Sequence, residues 1–297
     1  MEWIRGLQRA IDYVEDHLEE EINYKEAAAQ AYSSVFHFQR IFSILCGITL
    51  GDYIRLRRLT LAGSELASTD CKVIDAALKY GYESPESFSR AFMKFHHISP
   101  SQAKAKPAEL KSFSRLSVKL ILEGGNLMDY RIEKRDGFQA VIKKERFTGS
   151  GELTHNQISS LWAECSKDGT IVSMCKCMDA ESCFKDGVLG ICFDNPSEGD
   201  YDYAIGVYYD GHSEIPKGLS IAEIPPQTWA AFRCKGAMPD AFQKMWKMIY
   251  TEFFPTSVYQ PAGGMCLEVY YSDKVKADDY ECEIWVSVQE KQKKTNS

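Results

Sequence analysis

The sequence predicts an α+β chain of two domains: an all-α unit of two helix-turn-helix subdomains over residues 1–107, then an α+β domain over 128–290. Three observations predict this. The chain matches itself without gaps at an offset of fifty residues. Its hydrophobic period changes from helical to strand-like near Met128. The strand-rich part then repeats its own order of elements, giving two strand-strand-helix-strand-strand halves. Residues 108–127, with Ser, Lys and a Gly-Gly pair, read as a linker, and 291–297 as a tail.

The fifty-residue repeat pairs Ala27 with Ala77, Tyr32 with Tyr82, Ser34 with Ser84, Phe38 with Phe88, Arg40 with Arg90, Phe42 with Phe92 and Ile48 with Ile98. Each copy reads as a short Ala-rich helix (Tyr24 to Ala31; Val73 to Lys79), a turn, and a second helix capped by Ser34 or Ser84. Gly81 supplies a residue tolerant of positive φ in the second turn, and Pro85 suits the first helical position. Phe38, Phe42 and Leu45, like Phe88, Phe92 and Phe95, recur at helical spacing and give each second helix a packing face. The opposite faces, with Phe36, Gln39 and Arg40 in the first copy and Glu86, Ser87, Ser89 and Arg90 in the second, are expected to be free.

Two outer helices complete the unit. Ile4, Leu7, Ile11, Val14 and Leu18 step by three and four along the first. A second, from Leu50 to Ser68, joins the copies and fixes their spacing.

In the strand-rich part the expected strands are Tyr130 to Arg135, Ala140 to Phe147, Leu189 to Phe193 and Tyr203 to Tyr209, with a helix near Gln157 to Cys165. The second half repeats them as Leu219 to Ile224, Trp229 to Lys235, a helix from Pro239 to about Phe254, Cys266 to Tyr271 and Cys282 to Val288. Both helices are expected on one face of a single sheet.

Composition bounds the function. With 44% hydrophobic and 26% charged residues among 297, the chain is of ordinary globular type. A formal net charge of −7 excludes a protein that coats nucleic acid indiscriminately. The acid is unevenly placed, since Met1 to Pro107 holds 13 Lys and Arg against 14 Asp and Glu. The N-terminus lacks an export-type apolar stretch, so a cytoplasmic protein with no membrane partner and reduced cysteines is expected. Cys165, Cys175, Cys177, Cys183 and Cys192 crowd one stretch, but zinc spacings are missing and no His lies among them. They are read as inert, with no metal site and no cofactor.

The runs GDYIRLRRLTLA (Gly51 to Ala62) and AALKYGYESPESFSRAFMKFHHISPSQAK (Ala76 to Lys104) resemble the AraC-type DNA-binding domain. The closing signature is met by Gly81, Tyr82, Ser84, Phe88, Arg90, Phe92, Ile98, Ser99 and Pro100, and departs at Met93. The resemblance covers about 105 residues. It implies a transcription regulator, of activator type, whose partners are double-stranded promoter DNA and RNA polymerase. It also implies base contacts through Phe36, Gln39 and Arg40 in the first head, and through Glu86, Ser87 and Arg90, with Ser89 beside them, in the second. Glu86 is an acid in a reading face and would repel phosphate, so the first head is expected to dominate specificity.

CLEVYY (Cys266 to Tyr271), CEIWVSV (Cys282 to Val288) and GAMPDAFQKMWKMIY resemble the GyrI-like small-molecule-binding domain. Strand alternation is expected to place Leu267, Val269, Tyr271, Ile284, Val286 and Val288 against the helices. Cys266, Glu268, Tyr270, Glu283, Trp285 and Ser287 would then face the other way, joined by Tyr208 and Trp229. The result would be an aromatic cup with Glu268 inside, suited to a lipophilic organic cation. Ligand-binding residues are thus expected at Glu268, Tyr270, Trp285, Tyr208 and Trp229, with no catalytic residues. Two alternatives are a hydrolase using Glu268 with Tyr208 or Tyr270, and a protein-interaction module whose cup is filled by side chains.

Overall fold

In a computed structural model, which describes residues 2–31, 33, 35–105, 109–118, 127–147, 152–179, 181–193 and 201–291, the first domain is all helical. Its elements are α1 (Glu2–Asp16), α2 (Tyr24–Gln30), α3 (Val35–Cys46), α4 (Leu50–Ser68), α5 (Val73–Lys79), α6 (Pro85–His96) and α7 (Pro100–Ala103). The expected Ser34 cap, linker residues 108 and 119–126 and the tail from 292 lie outside the described residues, as do the side chains of Ile4 and Phe36. Ser84 does cap α6, its hydroxyl accepting from the Ser87 N–H at 3.2 Å, and Pro85 takes the first helical position. Gly81 adopts φ 78°, as the turn requires.

Two apolar cores sit side by side. Leu7, Ile11, Val14 and Leu18 of α1 meet Ala27, Phe38, Phe42 and Tyr53 in the first, while Ala76, Ala77, Phe88 and Phe92 form the second with Leu59, Ala62 and Leu66. Because α4 enters both cores, its 19 residues, about 28 Å at 1.5 Å per residue, set the separation of the heads.

Several arginines expected in the basic count are used structurally. Glu15 of α1 receives Arg57 Nε at 2.8 Å and Nη2 at 2.9 Å, and the Tyr53 hydroxyl at 2.6 Å. Arg58 donates to the carbonyls of Leu18 and Glu20. Lys79 pairs with Glu19 and Glu65. The residues left exposed on the second subdomain include Lys72, Arg90 and Lys94.

His96 closes α6 inside the second core. Its Nδ1 accepts from the Lys111 N–H at 3.1 Å and its Nε2 lies 2.9 Å from the Leu59 carbonyl, an arrangement that fits the neutral ring with hydrogen on Nε2. Burial, partly offset by the Leu59 carbonyl, pulls its pKa below the ordinary 6.5. A group depressed in this way supports folding fully above pH 6.5 and less as pH falls below it. Thermal melts between pH 7.5 and 5 should show a decline that His96→Gln flattens; an unchanged pH slope in that variant would remove His96 as the cause.

The second domain carries an eight-stranded sheet of order β1-β6-β8-β7-β3-β4-β2-β5, with every neighbouring pair antiparallel. Its strands are β1 (Tyr130–Arg135), β2 (Phe138–Phe147), β3 (Val188–Phe193), β4 (Tyr201–Tyr208), β5 (Ser220–Ile224), β6 (Gln227–Lys235), β7 (Tyr259–Tyr270) and β8 (Glu281–Glu290). Adding four to each strand of the first half reproduces the order reversed, so the halves are related by a pseudo-twofold between β3 and β7. Each half lends its first strand to the other, β1 pairing with β6 and β5 with β2.

Helix α8 (Glu152–Lys167) packs on the same sheet face as α10 (Asp240–Met248), which continues through a π-helical stretch (Ile249–Phe253) to Thr256. A short α9 (Thr170–Cys175), not foreseen in the sequence, covers Val141 and Val207 on that side. The other face is also covered, by Phe184 among others. Among the described residues no helix is long and apolar enough to cross a membrane.

Candidate functional site

The side-chain sorting expected for β7 and β8 is half right. Ile284, Val286 and Val288 do face the helices, but Leu267 and Val269 point to the far face with Trp229 and Trp285. The cause is register: Glu268 lies opposite Ile284 and Leu267 opposite Trp285, and directly paired residues share a face. The expected cup is therefore split. Glu268 and Tyr270 lie under the helices, whereas Tyr208, Trp229 and Trp285 line a separate cavity of about 380 Å³ on the opposite side. Of the two tyrosines named with Glu268 for a hydrolase, Tyr208 consequently lies apart from it, whereas Tyr270 bonds it.

Glu268 sits on β7 at the central seam, only 4% exposed. Its Oε2 accepts from the hydroxyls of Tyr270 at 2.8 Å and Tyr203 at 3.3 Å. Burial, reinforced by the adjacent carboxylate, holds both phenols well above their ordinary range, so both remain donors. Trp162 of α8 donates its indole N–H to the Tyr203 hydroxyl at 2.9 Å and meets Tyr270 edge-on. Opposite Glu268 in register stands Gly190, where a Cβ would lie 3.0 Å from Glu268 Oε2 and closer still to the Tyr203 hydroxyl. That strand glycine makes room for the carboxylate.

The remaining oxygen is taken from outside the domain. Arg40, on α3 of the helix-turn-helix unit, places Nη2 2.5 Å from Glu268 Oε1. Its guanidinium lies 4.8 Å from the Trp246 ring and 5.6 Å from Phe242, both on α10. Burial opposes the charge on Arg40, and Glu268 outweighs it, leaving the group firmly cationic. One turn back, His37 hydrogen-bonds the Tyr250 hydroxyl, and Ile41 joins the apolar cluster beneath the helices. Hence the side of α3 that bears His37, Arg40 and Ile41, expected to be free, packs on the sheet domain and leaves Arg40 half-buried; Gln39 is buried as well.

The second head differs. Glu86 and Arg90 on α6 are exposed, Ser89 is half-buried, and the Ser87 hydroxyl donates to the Ser84 carbonyl at 2.8 Å as part of the helix cap. Sequence reasoning missed Tyr203 and Gly190 beside Glu268, Trp162 behind Tyr203, and Phe242 and Trp246 against its Arg40 partner. The signals were present in the four-residue spacing of Phe242, Trp246 and Tyr250 and in a glycine within a strand.

Among the described residues no cluster of three or more His, Cys, Asp or Glu could hold a metal. Burial pushes the thiols of Cys165, Cys175, Cys177 and Cys183 up, away from the reactive thiolate.

Two tandem helix-turn-helix heads joined to a pseudo-twofold sheet domain define a DNA-binding regulator of the AraC type carrying a GyrI-like effector-binding domain. Comparison with known proteins agrees: residues 131–288, more than half of the chain, match the model of the integron-associated effector binding protein family, Cass2, to which the chain belongs. Residues 27–106 match a helix-turn-helix domain model. The chain is 37% identical over 95 residues to the regulatory protein SoxS of Escherichia coli K12, covering 32% of this chain and 89% of that one. It is 41% identical over 100 residues to the uncharacterized HTH-type transcriptional regulator YbfP of Bacillus subtilis, spanning 34% of either chain. Among solved structures, SAV2435 bound to tetraphenylphosphonium aligns with TM-score 0.47 at 22% identity, over 55% of this chain and 94% of that one.

Proposed function

We propose that the chain regulates transcription in response to a small lipophilic organic cation bound on Glu268. The heads engage double-stranded promoter DNA, reading bases through Phe36, Gln39 and Arg40 and through Glu86, Ser87, Ser89 and Arg90, and activation proceeds through RNA polymerase in the cytoplasm. One observation carries the effector assignment: a buried carboxylate at the centre of the sheet, bonded by Tyr203 and Tyr270, already holds a cationic group that lies against Trp246 and Phe242. Charge attraction in a desolvated site and cation–π contact favour such a ligand over neutral or anionic ones. Tyr208, Trp229 and Trp285 no longer belong to this ligand set, since they lie across the sheet.

The test is calorimetric titration of tetraphenylphosphonium, run in an Arg40→Ala background so that the internal ion pair does not contribute. Adding Glu268→Gln should weaken binding by about tenfold or more, as expected for loss of a buried charge partner. Equal affinity in the two proteins would refute the role given to this carboxylate.

A further inference from the structure

The sheet domain contains two groupings of carboxylate, arginine and tryptophan, and they differ in where the arginine comes from. Arg131 on β1 grips Glu283 on β8 with two hydrogen bonds of 2.7 and 2.8 Å and lies 5.0 Å from the Trp285 ring. Both charges belong to one sheet, so this pair ties the domain to itself. The matching pair at Glu268 takes its arginine from α3, a helix of the other domain whose own subdomain core is already supplied by Phe38 and Phe42.

An arginine side chain is an organic cation on an apolar stem, with a flat delocalised charge that stacks on aromatic rings. The cleft thus already contains a member of the ligand class assigned to it. We propose that Arg40 is a built-in ligand of this cleft, storing the first recognition helix away from DNA until an effector cation takes its place on Glu268. The inference deepens the function proposed above and rests on Glu268 being the effector carboxylate.

Exclusion is steric as well as electrostatic. Tyr203 and Tyr270 hold Oε2, Arg40 holds Oε1, and Trp246 is fully buried, so a second cation reaches Glu268 only after Arg40 has left. A base edge likewise reaches Arg40 only after α3 has undocked. Effector and docked helix therefore select opposite states, and such a ligand shifts the equilibrium by its full binding free energy in the open state. The second head is outside the exchange, because α6 packs on α4, α5 and α7 and leaves Arg90 exposed. Effector-free protein would present one head to DNA, and effector-bound protein two.

Hydroxyl-radical footprinting of the full chain, read by mass spectrometry, tests the storage step without any ligand. Glu268→Gln removes the partner charge and with it the attraction that holds the half-buried Arg40, so α3 is released. Labelling at His37 and Trp246 should rise at least about threefold over wild type in Glu268→Gln and in Arg40→Ala, with Trp285 unchanged as the sign of an intact sheet. Should Glu268→Gln disturb the sheet itself, Arg40→Ala decides. Unchanged labelling at His37 and Trp246 in the intact variant would overturn the storage of α3, whatever the cleft binds. Tetraphenylphosphonium should also bind Arg40→Ala about tenfold more tightly than wild type, because the internal competitor is gone. If labelling rises but Glu268→Gln leaves cation affinity unchanged in the Arg40→Ala background, the effector reading fails, and the exchange falls with it.

Discussion

Replacing Glu15 with leucine is expected to lower the unfolding free energy of the helical unit by about 3–5 kcal/mol, the loss typical of a buried ion pair deprived of one partner. Glu15 and Arg57 are 6% and 12% exposed at their side chains, and Tyr53 beneath them is fully buried. Without the carboxylate, Arg57 loses its charge partner and keeps the Phe113 carbonyl, and the Tyr53 hydroxyl loses its acceptor. The double variant Glu15→Leu/Arg57→Met should recover much of the loss, since an apolar pair of similar volume needs no compensation. Urea denaturation of the full chain, followed by the helical circular-dichroism signal, measures both.

The same pair makes an acid-sensitive tie between α1 and α4. Burial raises the Glu15 pKa, but hydrogen bonds from Arg57 and Tyr53 more than offset this and hold it below the ordinary carboxylate value of 4.5. Its contribution is complete above that value and is lost as pH falls through the depressed one. Because Arg57 is consumed inside the fold, the double variant should keep the wild-type salt dependence of DNA binding; a slope smaller by about one unit would mean that Arg57 touches phosphate.

How far such features were legible beforehand depended on whether they were local. Alternating strands, the two halves and the boundaries of α4 and α5 follow from short-range pattern, and the structure reproduces them closely. Strand register is not local. With both faces of the sheet covered, Leu267 and Glu268 are each compatible with either side, and only the pairing of β7 with β8 decides that Glu268 faces the helices.

The docking of α3 was nearer to being readable. Its sequence, VFHFQRIFSILC, carries apolar residues nearly all round, whereas α6, PESFSRAFMKFH, keeps them to one face. A helix apolar on every side is buried on every side. Ile41 and Ile44 needed a second partner beyond the core built by Phe38 and Phe42, and the effector domain supplies it. What no pattern in the sequence shows is that Arg40, flanked by these residues, would end on a carboxylate 228 positions away.

That placement gives the ranking of the heads a condition. By chemistry alone, Phe36, Gln39 and Arg40 are a stronger reading set than Glu86, Ser87 and Arg90, since Arg forks to guanine, Gln to adenine, and Glu86 repels phosphate. While α3 is docked, however, Arg40 is held on Glu268, whereas Arg90 of α6 is exposed. Because Arg40→Ala also releases α3, it should show the same discrimination among duplexes with and without an effector cation. In its presence the same variant should lose about 1–3 kcal/mol of discrimination, roughly 5- to 150-fold, as for a lost bidentate base contact. Arg90→Ala should lose discrimination under both conditions, and by less than Arg40→Ala once the cation is bound. Competition binding at fixed salt with duplexes altered under one head at a time measures this directly. Equal losses from the two arginines with and without cation would show that α3 reads DNA from its docked position and would overturn the storage of Arg40 on Glu268.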